Sequence, residues 1–365
     1  MNLANLTLQS FRIVLLPVSI LYGVIIHIRN ILFDKQWLKS ASFNIPVICV
    51  GNLSVGGTGK SPLIELLINH LIEKYKPAVL SRGYKRKTTG YILANERSTA
   101  LDIGDEPMQF CQKYPNLTVA VSESRVVGVP HLLQDRPETD VILLDDAFQH
   151  RSIQPGLSLL LTDYSDLFTR DFFLPTGNLR DEKKSYKRAD IILVTKCEAD
   201  LTTTKKEAVI KEINPLPHQH IFFTSLHYAI PYHIINHETK KEFNLKTDVL
   251  LVTGIANIRP IKKILNEHSN SYEQMTFSDH HIYTLDDLKE IEKRFYKMKG
   301  SDSMILTTEK DAVRLIKFKD QLAKLPVYVL PVQHQILFNE ESVFLEKITG
   351  FIDTFKEKSA INRTA

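Results

Sequence analysis

Short apolar runs alternate with helical patterns along most of the chain. The runs occupy residues 45–50, 78–80, 117–121, 141–144, 157–161 and 191–194. Strands that are buried on both faces are continuously apolar, and helices between such strands favour parallel pairing. The pattern therefore predicts an α/β fold with a mostly parallel sheet and helices on both faces.

The pattern changes after Phe223. A polar, histidine-dotted segment at 226–247 follows, and a new apolar run begins at Asp248. We interpret 36–225 as a core unit, 226–247 as a connector with extended strands, 248–350 as a smaller α/β lobe and 351–365 as a polar tail. Two lobes with a cleft between them follow from this division.

The N-terminal 35 residues are distinctly apolar. Residues 13–26 carry no charge, but Pro17 and Gly23 interrupt them and the stretch falls short of the roughly 20 residues of a spanning helix. Two interpretations remain open from the residues alone. The segment forms an interfacial helix held on an anionic leaflet by Arg12, Arg29 and nearby Lys35, or a core helix that covers the sheet.

A glycine-rich turn follows the first apolar run. Its residues are Ser54, Val55, Gly56, Gly57, Thr58, Gly59, Lys60 and Ser61. Backbone N–H groups of such a turn point at phosphate oxygens, and the following helix presents its positive end. The motif predicts a nucleotide site in which Lys60 reaches the β and γ phosphates and Ser61 is a Mg²⁺ ligand.

Acidic residues at two other places suit the same chemistry. Asp145 and Asp146 end a buried strand and are predicted to hold Mg²⁺ beside the phosphate loop. Asp105, just before a proline and a helical stretch, is either a helix cap or a general base for an acceptor hydroxyl.

Basic and histidine residues give weaker signals. Arg82 and Arg180 stand near glycines, where phosphate can approach closely. The pair His280 and His281 is more often polar surface than a site, unless the lobes close over the nucleotide. The stretch 195–198 resembles the base-reading motif of GTPases, with Glu198 in place of the usual Asp.

Composition narrows the function classes. The net charge of +4 over 365 residues is too small to indicate nucleic-acid binding. The three cysteines have neither disulfide nor zinc spacing, which favours a reducing compartment. Nothing in the sequence indicates an obligate protein partner.

The order of motifs resembles the tetraacyldisaccharide 4′-kinase family, the lipid A 4′-kinases of Gram-negative bacteria. The family's phosphate loop matches residues 51–62, its S-R-G-Y stretch 81–84 and its G-D-E-P stretch 104–107. The acid pair followed by Q-H matches 145–150, D-H-H matches 279–281, and T-x-K-D-x-V-[RK] matches 308–314. Ala147 and Asp181 depart from the family pattern, which has frequent glycine and usual Glu there.

The resemblance implies transfer of the ATP γ-phosphate to the 4′-hydroxyl of a tetraacyl glucosamine disaccharide 1-phosphate, with Mg²⁺. It implies that Asp105 and His280 form the acid/base pair, with Lys60 as a further catalytic residue. It also favours peripheral or monotopic attachment of the N-terminal helix to the cytoplasmic leaflet of the inner membrane. The implied substrate-binding residues are Asn52, Arg82, Tyr84, Arg125, Gln149, His150, Arg180 and Asp181.

Two other functions compete with this one. A membrane-attached GTPase switch fits the stretch 195–198 and would prefer GTP over ATP, although residues 145–148 lack the switch glycine. A lipid-binding scaffold that holds nucleotide without turnover fits the apolar N-terminus, but it leaves Asp105, Asp145 and Asp146 unexplained.

Overall fold

Two β-sheets organise the chain, and this computed structural model describes residues 12–255, 257–298, 300 and 302–364, with side chains to residue 358. The strands are β1 Val47–Asn52, β2 Pro77–Ser81, β3 Ile92–Leu93, β4 Thr118–Val121, β5 Val141–Asp145, β6 Leu157–Asp163, β7 Ile191–Thr195, β8 His220–Tyr228, β9 Tyr232–His233, β10 Asp248–Thr253, β11 Ser271–Thr276, β12 Ser303–Thr308, β13 Val327–Leu330 and β14 Val332–Ile336.

The α-helices cover these sheets. They are α1 Leu16–Asp34, α2 Lys60–Leu71, α3 Ala100–Ile103, α4 Asp105–Lys113, α5 Arg125–Asp135, α6 Thr203–Ile213, α7 Arg259–His268, α8 Leu285–Phe295, α9 Glu309–Leu315, α10 Lys319–Leu322 and α11 Glu341–Thr364.

The first sheet has the order β14-β8-β7-β6-β1-β5-β2-β4-β3. Only its two edge strands are antiparallel to their neighbours. The predicted parallel sheet with helices on both faces is confirmed. β1 lies between β5 and β6, and its Val50 is in register with Asp145. Because parallel strands end at one edge, the phosphate loop and the acid pair follow neighbouring strand ends.

A hydrophobic core fills each face of the first sheet. Helix α2 contributes Leu63, Leu67 and Leu71 to one core. Helix α5 contributes Val129 and Leu132 to the other. The three leucines are fully buried, so α2, the helix that follows the glycine-rich turn, is held on the sheet along its whole length.

The second sheet has the order β11-β10-β12-β13-β9 and is parallel except at its β9 edge. It has cores of its own on both faces. The chain passes from the first sheet to the second between β8 and β9. It returns between β13 and β14, where Pro331 alone separates the two strands.

The C-terminal end differs from the sequence interpretation. The smaller lobe ends at β13, β14 joins the first sheet, and α11 continues to Thr364 in place of a polar tail. The reason is a stripe of Phe344, Ile348 and Ile352, all fully buried in the core beside α2. Residues 331–364 therefore belong to the lobe built on the first sheet, which we call the first lobe; the lobe built on the second sheet is the second lobe.

Helix α1 has two unlike sides. Ser19, Gly23, Ile26 and Asn30 are buried against the first lobe, whereas most of its other apolar side chains are exposed. The helix runs eight residues beyond the uncharged stretch, to Asp34. By length and composition alone it could cross a membrane, which the sequence interpretation did not expect.

Candidate active site

The glycine-rich turn joins β1 to α2 in the geometry of a phosphate loop. Gly56 has a φ of 112° and Gly59 a φ of 87°, a region that side chains with a Cβ rarely enter. Val55 donates its backbone N–H to Asn178 at 2.7 Å. Asn178 thus holds the turn at Val55, and the space beside Gly56 and Gly57 is open, since a Cβ at either position would meet no atom within 4 Å.

Asp145 ends β5 next to this loop and is almost fully buried. Its Oδ2 accepts a hydrogen bond from Ser81 at 2.9 Å, while its Oδ1 is buried with no hydrogen-bond partner among the described residues. Burial, with smaller effects of Glu106 and Asp146, raises the pKa of Asp145 to about 7. An unpaired buried carboxylate oxygen is costly unless a ligand or proton occupies it.

Asp146 forms an ionic cluster at the mouth of the loop. Arg180 donates to both of its carboxylate oxygens, at 2.9 and 3.1 Å, and Lys60 Nζ lies 3.5 Å from Oδ1. Asn52 Oδ1 accepts hydrogen bonds from Arg180 at 2.6 Å and Lys60 at 3.3 Å. Burial raises the pKa of Asp146, but Lys60 and Arg180 lower it more, so the carboxylate stays ionised.

The loop after β2 lies between these acids and helix α4. A Cβ on Gly83 would come within 2.9 Å of the Ile103 carbonyl, and one on Gly104 within 3.0 Å of the Tyr84 carbonyl. Both glycines have positive φ. Only glycine lets the two backbones approach so closely, and this contact places the loop that carries Arg82 and Tyr84 against the start of α4.

Asp105 is the first residue of α4 and contacts two residues of the second lobe. Its Oδ2 lies 2.7 Å from His280 Nδ1, and Arg314 Nη2 lies 2.8 Å from the same nitrogen. Arg314 of α9 donates to Oδ1 at 2.9 Å and also to Oδ2. Burial raises the pKa of Asp105, but Arg314 and then His280 outweigh it and hold that pKa below its usual value.

The two neighbouring histidines have different partners. His281 Nε2 lies 2.9 Å from Asp287, which also caps α8. The structure therefore resolves which histidine meets Asp105: it is His280, held in a loop at a φ of 63°. The Tyr84 ring lies 6.0 Å from the His280 ring.

The remaining predicted acceptor residues divide into two groups. Gln149 donates to the Asn52 carbonyl, and burial followed by Arg125 lowers the pKa of His150 to about 4. Arg82 and Tyr84 are exposed at the same edge of the sheet. The charges of Arg82 and Asp146 also act on His150, so Arg82 and His150 lie near the acid cluster.

Arg125 and Asp181 are buried in the structure. Arg125 donates to the backbone carbonyls of Ser122 at 3.1 Å and Asp145 at 2.8 Å. Asp181 accepts hydrogen bonds from Asn30 and Arg188, both at 2.8 Å, and is fully inaccessible. The structure thus gives Asp181 a different role from the predicted contact with the acceptor: it holds α1 against the first lobe.

Sequence reasoning missed two charged residues of the site. Arg314 lies in a matched motif that carried no assigned role, and Glu106 acts on Asp145 through its charge. Signals for both residues lay close by in the sequence. Thr308, in the same motif as Arg314, caps α9 by accepting the backbone N–H of Asp311, and Glu106 follows Asp105 directly. Their partners are distant in sequence and could not be inferred.

In the structure, residues of the stretch 195–198, which resembles a base-reading motif, contact other protein groups. Glu198 is exposed and pairs with Lys205 at 2.7 Å, and Lys196 pairs with Asp163 at 2.7 Å. Thr195 Oγ1 donates to the Thr58 carbonyl at 2.8 Å. The threonine therefore supports the phosphate loop.

The donor set suits Mg²⁺. Among the described residues, no group of three or more histidine, cysteine, aspartate and glutamate side chains is placed to hold a metal ion. Mg²⁺ in nucleotide sites typically takes one or two carboxylates together with phosphate oxygens and water. The unpaired Oδ1 of Asp145 meets that requirement, and Ser61 and Asp146 are the other oxygen donors that the sequence predicts.

Comparisons with known proteins agree on one family. The profile described as tetraacyldisaccharide-1-P 4′-kinase, LpxK, matches residues 11–352. The tetraacyldisaccharide 4′-kinase of Bacteroides thetaiotaomicron is 44% identical over 351 residues, which cover 93% of this chain and 92% of the relative. The enzyme of the same name from Flavobacterium johnsoniae is 45% identical over 334 residues, covering 91% of this chain and 96% of the relative.

A solved structure supports the same grouping. LpxK from Aquifex aeolicus, in complex with ATP, has a TM-score of 0.73 and 27% sequence identity to this chain. The match covers 94% of this chain and 99% of that one.

Proposed function

The chain belongs to the tetraacyldisaccharide-1-phosphate 4′-kinase family, and we propose that it transfers the γ-phosphate of ATP to the 4′-hydroxyl of a tetraacyl glucosamine disaccharide 1-phosphate in lipid A biosynthesis. One observation carries the proposal: a hydrogen-bonded pair, Asp105 with His280, joins the two lobes, and Asp145 next to the phosphate loop has an unpaired carboxylate oxygen. A GTPase switch and a scaffold are not favoured, because Glu198 is engaged by Lys205 and a scaffold needs no such pair.

The phosphate loop binds the nucleotide. Backbone N–H groups of residues 56–60 surround the phosphates, and Lys60 neutralises charge on the β and γ phosphates. Ser61, Asp145 and Asp146 would hold Mg²⁺, which when bound supplies further charge neutralisation on the phosphates. Arg180 keeps Asp146 ionised and orients it.

Asp105 and His280 accept the proton of the acceptor hydroxyl. With the His280 Nδ1–H directed at Asp105, whose oxygens Arg314 also contacts, the basic atom of the pair is His280 Nε2, which lies 3.7 Å from Asp279. The 4′-oxygen attacks the γ phosphorus, the bond from that phosphorus to the β–γ bridging oxygen breaks, and ADP leaves with that oxygen. The hydroxyl proton passes to the pair.

Acceptor recognition falls to the polar residues around this edge of the sheet. Asn52, Arg82, Tyr84, Gln149, His150 and Arg180 are the candidates for contact with the sugar and its phosphate. Arg125 contributes indirectly, since it holds the backbone at Asp145.

The acceptor is a lipid, and α1 offers a route to it. Arg29 donates to the Gln149 carbonyl at 2.5 Å, and Tyr22 donates to the Arg180 carbonyl at 3.0 Å. The other side of the helix is apolar and exposed. These contacts support attachment through α1 to the cytoplasmic leaflet of the inner membrane, where ATP and the acceptor meet.

The test is transfer of labelled γ-phosphate from Mg·ATP to a tetraacyl disaccharide 1-phosphate in mixed micelles. Labelled lipid is expected with the wild-type protein, and at least about 100-fold less with Lys60→Ala or Asp105→Ala. Absence of product with wild-type protein that binds ATP would contradict the proposal. Faster turnover with GTP than with ATP would revive the switch.

A further inference from the structure

His334 contacts the phosphate loop from a strand that returns from the second lobe. It lies on β14, and its Nε2 is 2.8 Å from the carbonyl oxygen of Gly59. The residue is only 5% exposed. Because a carbonyl oxygen can only accept, Nε2 carries the proton and donates it.

The other ring nitrogen of His334 fixes this protonation. Nδ1 lies 2.7 Å from Thr224 Oγ1 of β8, so in the neutral ring Nδ1 accepts from the hydroxyl while Nε2 donates. Burial lowers the pKa of His334 to about 4, which agrees with a neutral ring. Both nitrogens are satisfied, and the side chain has one orientation.

The Gly59 carbonyl matters because of peptide geometry. A trans peptide is planar, so the carbonyl of one residue and the N–H of the next point in opposite directions. A carbonyl of Gly59 that faces His334 turns the N–H of Lys60 toward the inside of the loop. In the same way, Thr195 holds the Thr58 carbonyl and thereby turns the N–H of Gly59.

The position of Gly59 also has no space for a side chain. A Cβ there would come within 2.9 Å of His334 Nε2, and its φ of 87° favours glycine. The Gly59 carbonyl also accepts the N–H of Leu63 at 3.2 Å as α2 begins. The imidazole therefore packs directly on the peptide that precedes the phosphate-binding lysine.

We propose that His334 is a positioning residue for nucleotide binding: through the Gly59 carbonyl it holds the Lys60 N–H in the direction that phosphate requires. The inference rests on the proposed use of ATP. Since only Pro331 separates β14 from β13, the same strand ties this peptide to the second lobe. His334 itself does not touch the reacting atoms.

Substitutions at His334 separate hydrogen bonding from packing. His334→Leu keeps a branched side chain of similar size without a donor, whereas His334→Gln keeps a donor near the Nε2 position. We expect the KM for ATP to rise about tenfold in His334→Leu, the loss typical of one hydrogen bond, and to return to within about threefold in His334→Gln. The KM for the lipid acceptor should not change. Gln335→Leu, at an exposed position of the same strand, is the control.

Thr224→Val provides a second variant in case His334→Leu does not fold. It removes the hydroxyl that selects the tautomer, and we expect a two- to fivefold rise in the KM for ATP. Wild-type KM values in folded His334→Leu or in Thr224→Val would overturn the inference, as would equal losses in His334→Leu and His334→Gln. Wild-type protein that binds no ATP in calorimetry would instead contradict the proposed function.

Discussion

Asp105 illustrates how much a single carboxylate depends on groups far away in sequence. Its position at the start of α4 suits both a helix cap and a base, and the sequence alone leaves both open. The contacts with His280 and Arg314 come from residues 175 and 209 positions away. Such pairings follow from the packing of two lobes, so the sequence could predict the residue types and not the constellation.

The two adjacent histidines give the first prediction. His280→Asn should lower kcat at least about 100-fold, because it removes the basic Nε2 of the pair. His281→Asn should keep kcat within a few-fold of wild type, because His281 faces Asp287. The measurement is single-turnover phosphate transfer, with thermal unfolding of each variant as a check on folding. Equal losses in both variants would contradict the assignment.

Arg314 gives the second prediction. Arg314→Gln should lower kcat roughly 10- to 100-fold, because the orientation of Asp105 is lost. It should also move the acidic limb of the kcat profile to higher pH. Arg314 lowers the pKa of Asp105, and without the cation Asp105 holds a proton more tightly. Arg294→Gln, on an exposed face of α8, is the control for charge. An unshifted acidic limb would count against this role.

Whole elements were predictable where the signal is local. The β1 strand, the phosphate loop and α2 follow one another along the chain, and their pattern is complete within residues 45–71. The C-terminal helix was missed although Phe344, Ile348 and Ile352 repeat every four residues. The many charged residues of 341–358 concealed that stripe. Its packing partner, α2, begins at Lys60, about 280 residues earlier, so no local signal could assign it to the first lobe.

A buried charge cluster joins three helices and gives the third prediction. Lys113 of α4 binds Glu65 of α2 at 2.5 Å and Glu309 of α9 at 2.6 Å. Gln109 also donates to Glu65. The ammonium of Lys113 neutralises only one of the two carboxylates. Burial and the charge of Glu309 therefore raise the pKa of Glu65 from 4.5 to about 7. The cluster ties the phosphate-loop helix to the helix of Asp105 and to the second lobe.

The sign of the pH effect follows from linkage. Between pH 4.5 and about 7 the folded state keeps a proton on Glu65 that the unfolded state has lost, so stability falls as pH rises through that range. Glu65→Gln resembles the protonated acid. It should be more stable than wild type by at least roughly 1 kcal/mol at pH 8 and equally stable at pH 4. Urea unfolding measures both, with exposed Glu73→Gln as control; equal stability at pH 8 would contradict the prediction.

At the scale of the whole molecule, helix α1 links the active site to an exposed apolar surface. One side of the helix contacts residues next to the site, and the other side is apolar and exposed. Asn30 on the buried side binds Asp181, and Arg29 reaches the Gln149 carbonyl beside the acid cluster. Ile20 and Val24 are 60% and 48% exposed. A membrane that covers this face would bring its lipids to the edge of the sheet at which phosphate is transferred. The buried polar contacts would hold the catalytic lobe in one orientation toward the bilayer.

The exposed face of α1 gives the last prediction. Ile20→Asp with Val24→Asp should abolish sedimentation with anionic vesicles, since each charge opposes insertion and no buried contact of the lobe is lost. The same variant should retain kcat on acceptor dispersed in detergent, because Arg29 and Tyr22 still hold the site. Leu245→Asp, at a 69% exposed position of the connector, should sediment like wild type. If the double variant still sedimented at high salt, another surface would have to bind the membrane. The role of α1 would then be to hold the loops of the first lobe in place.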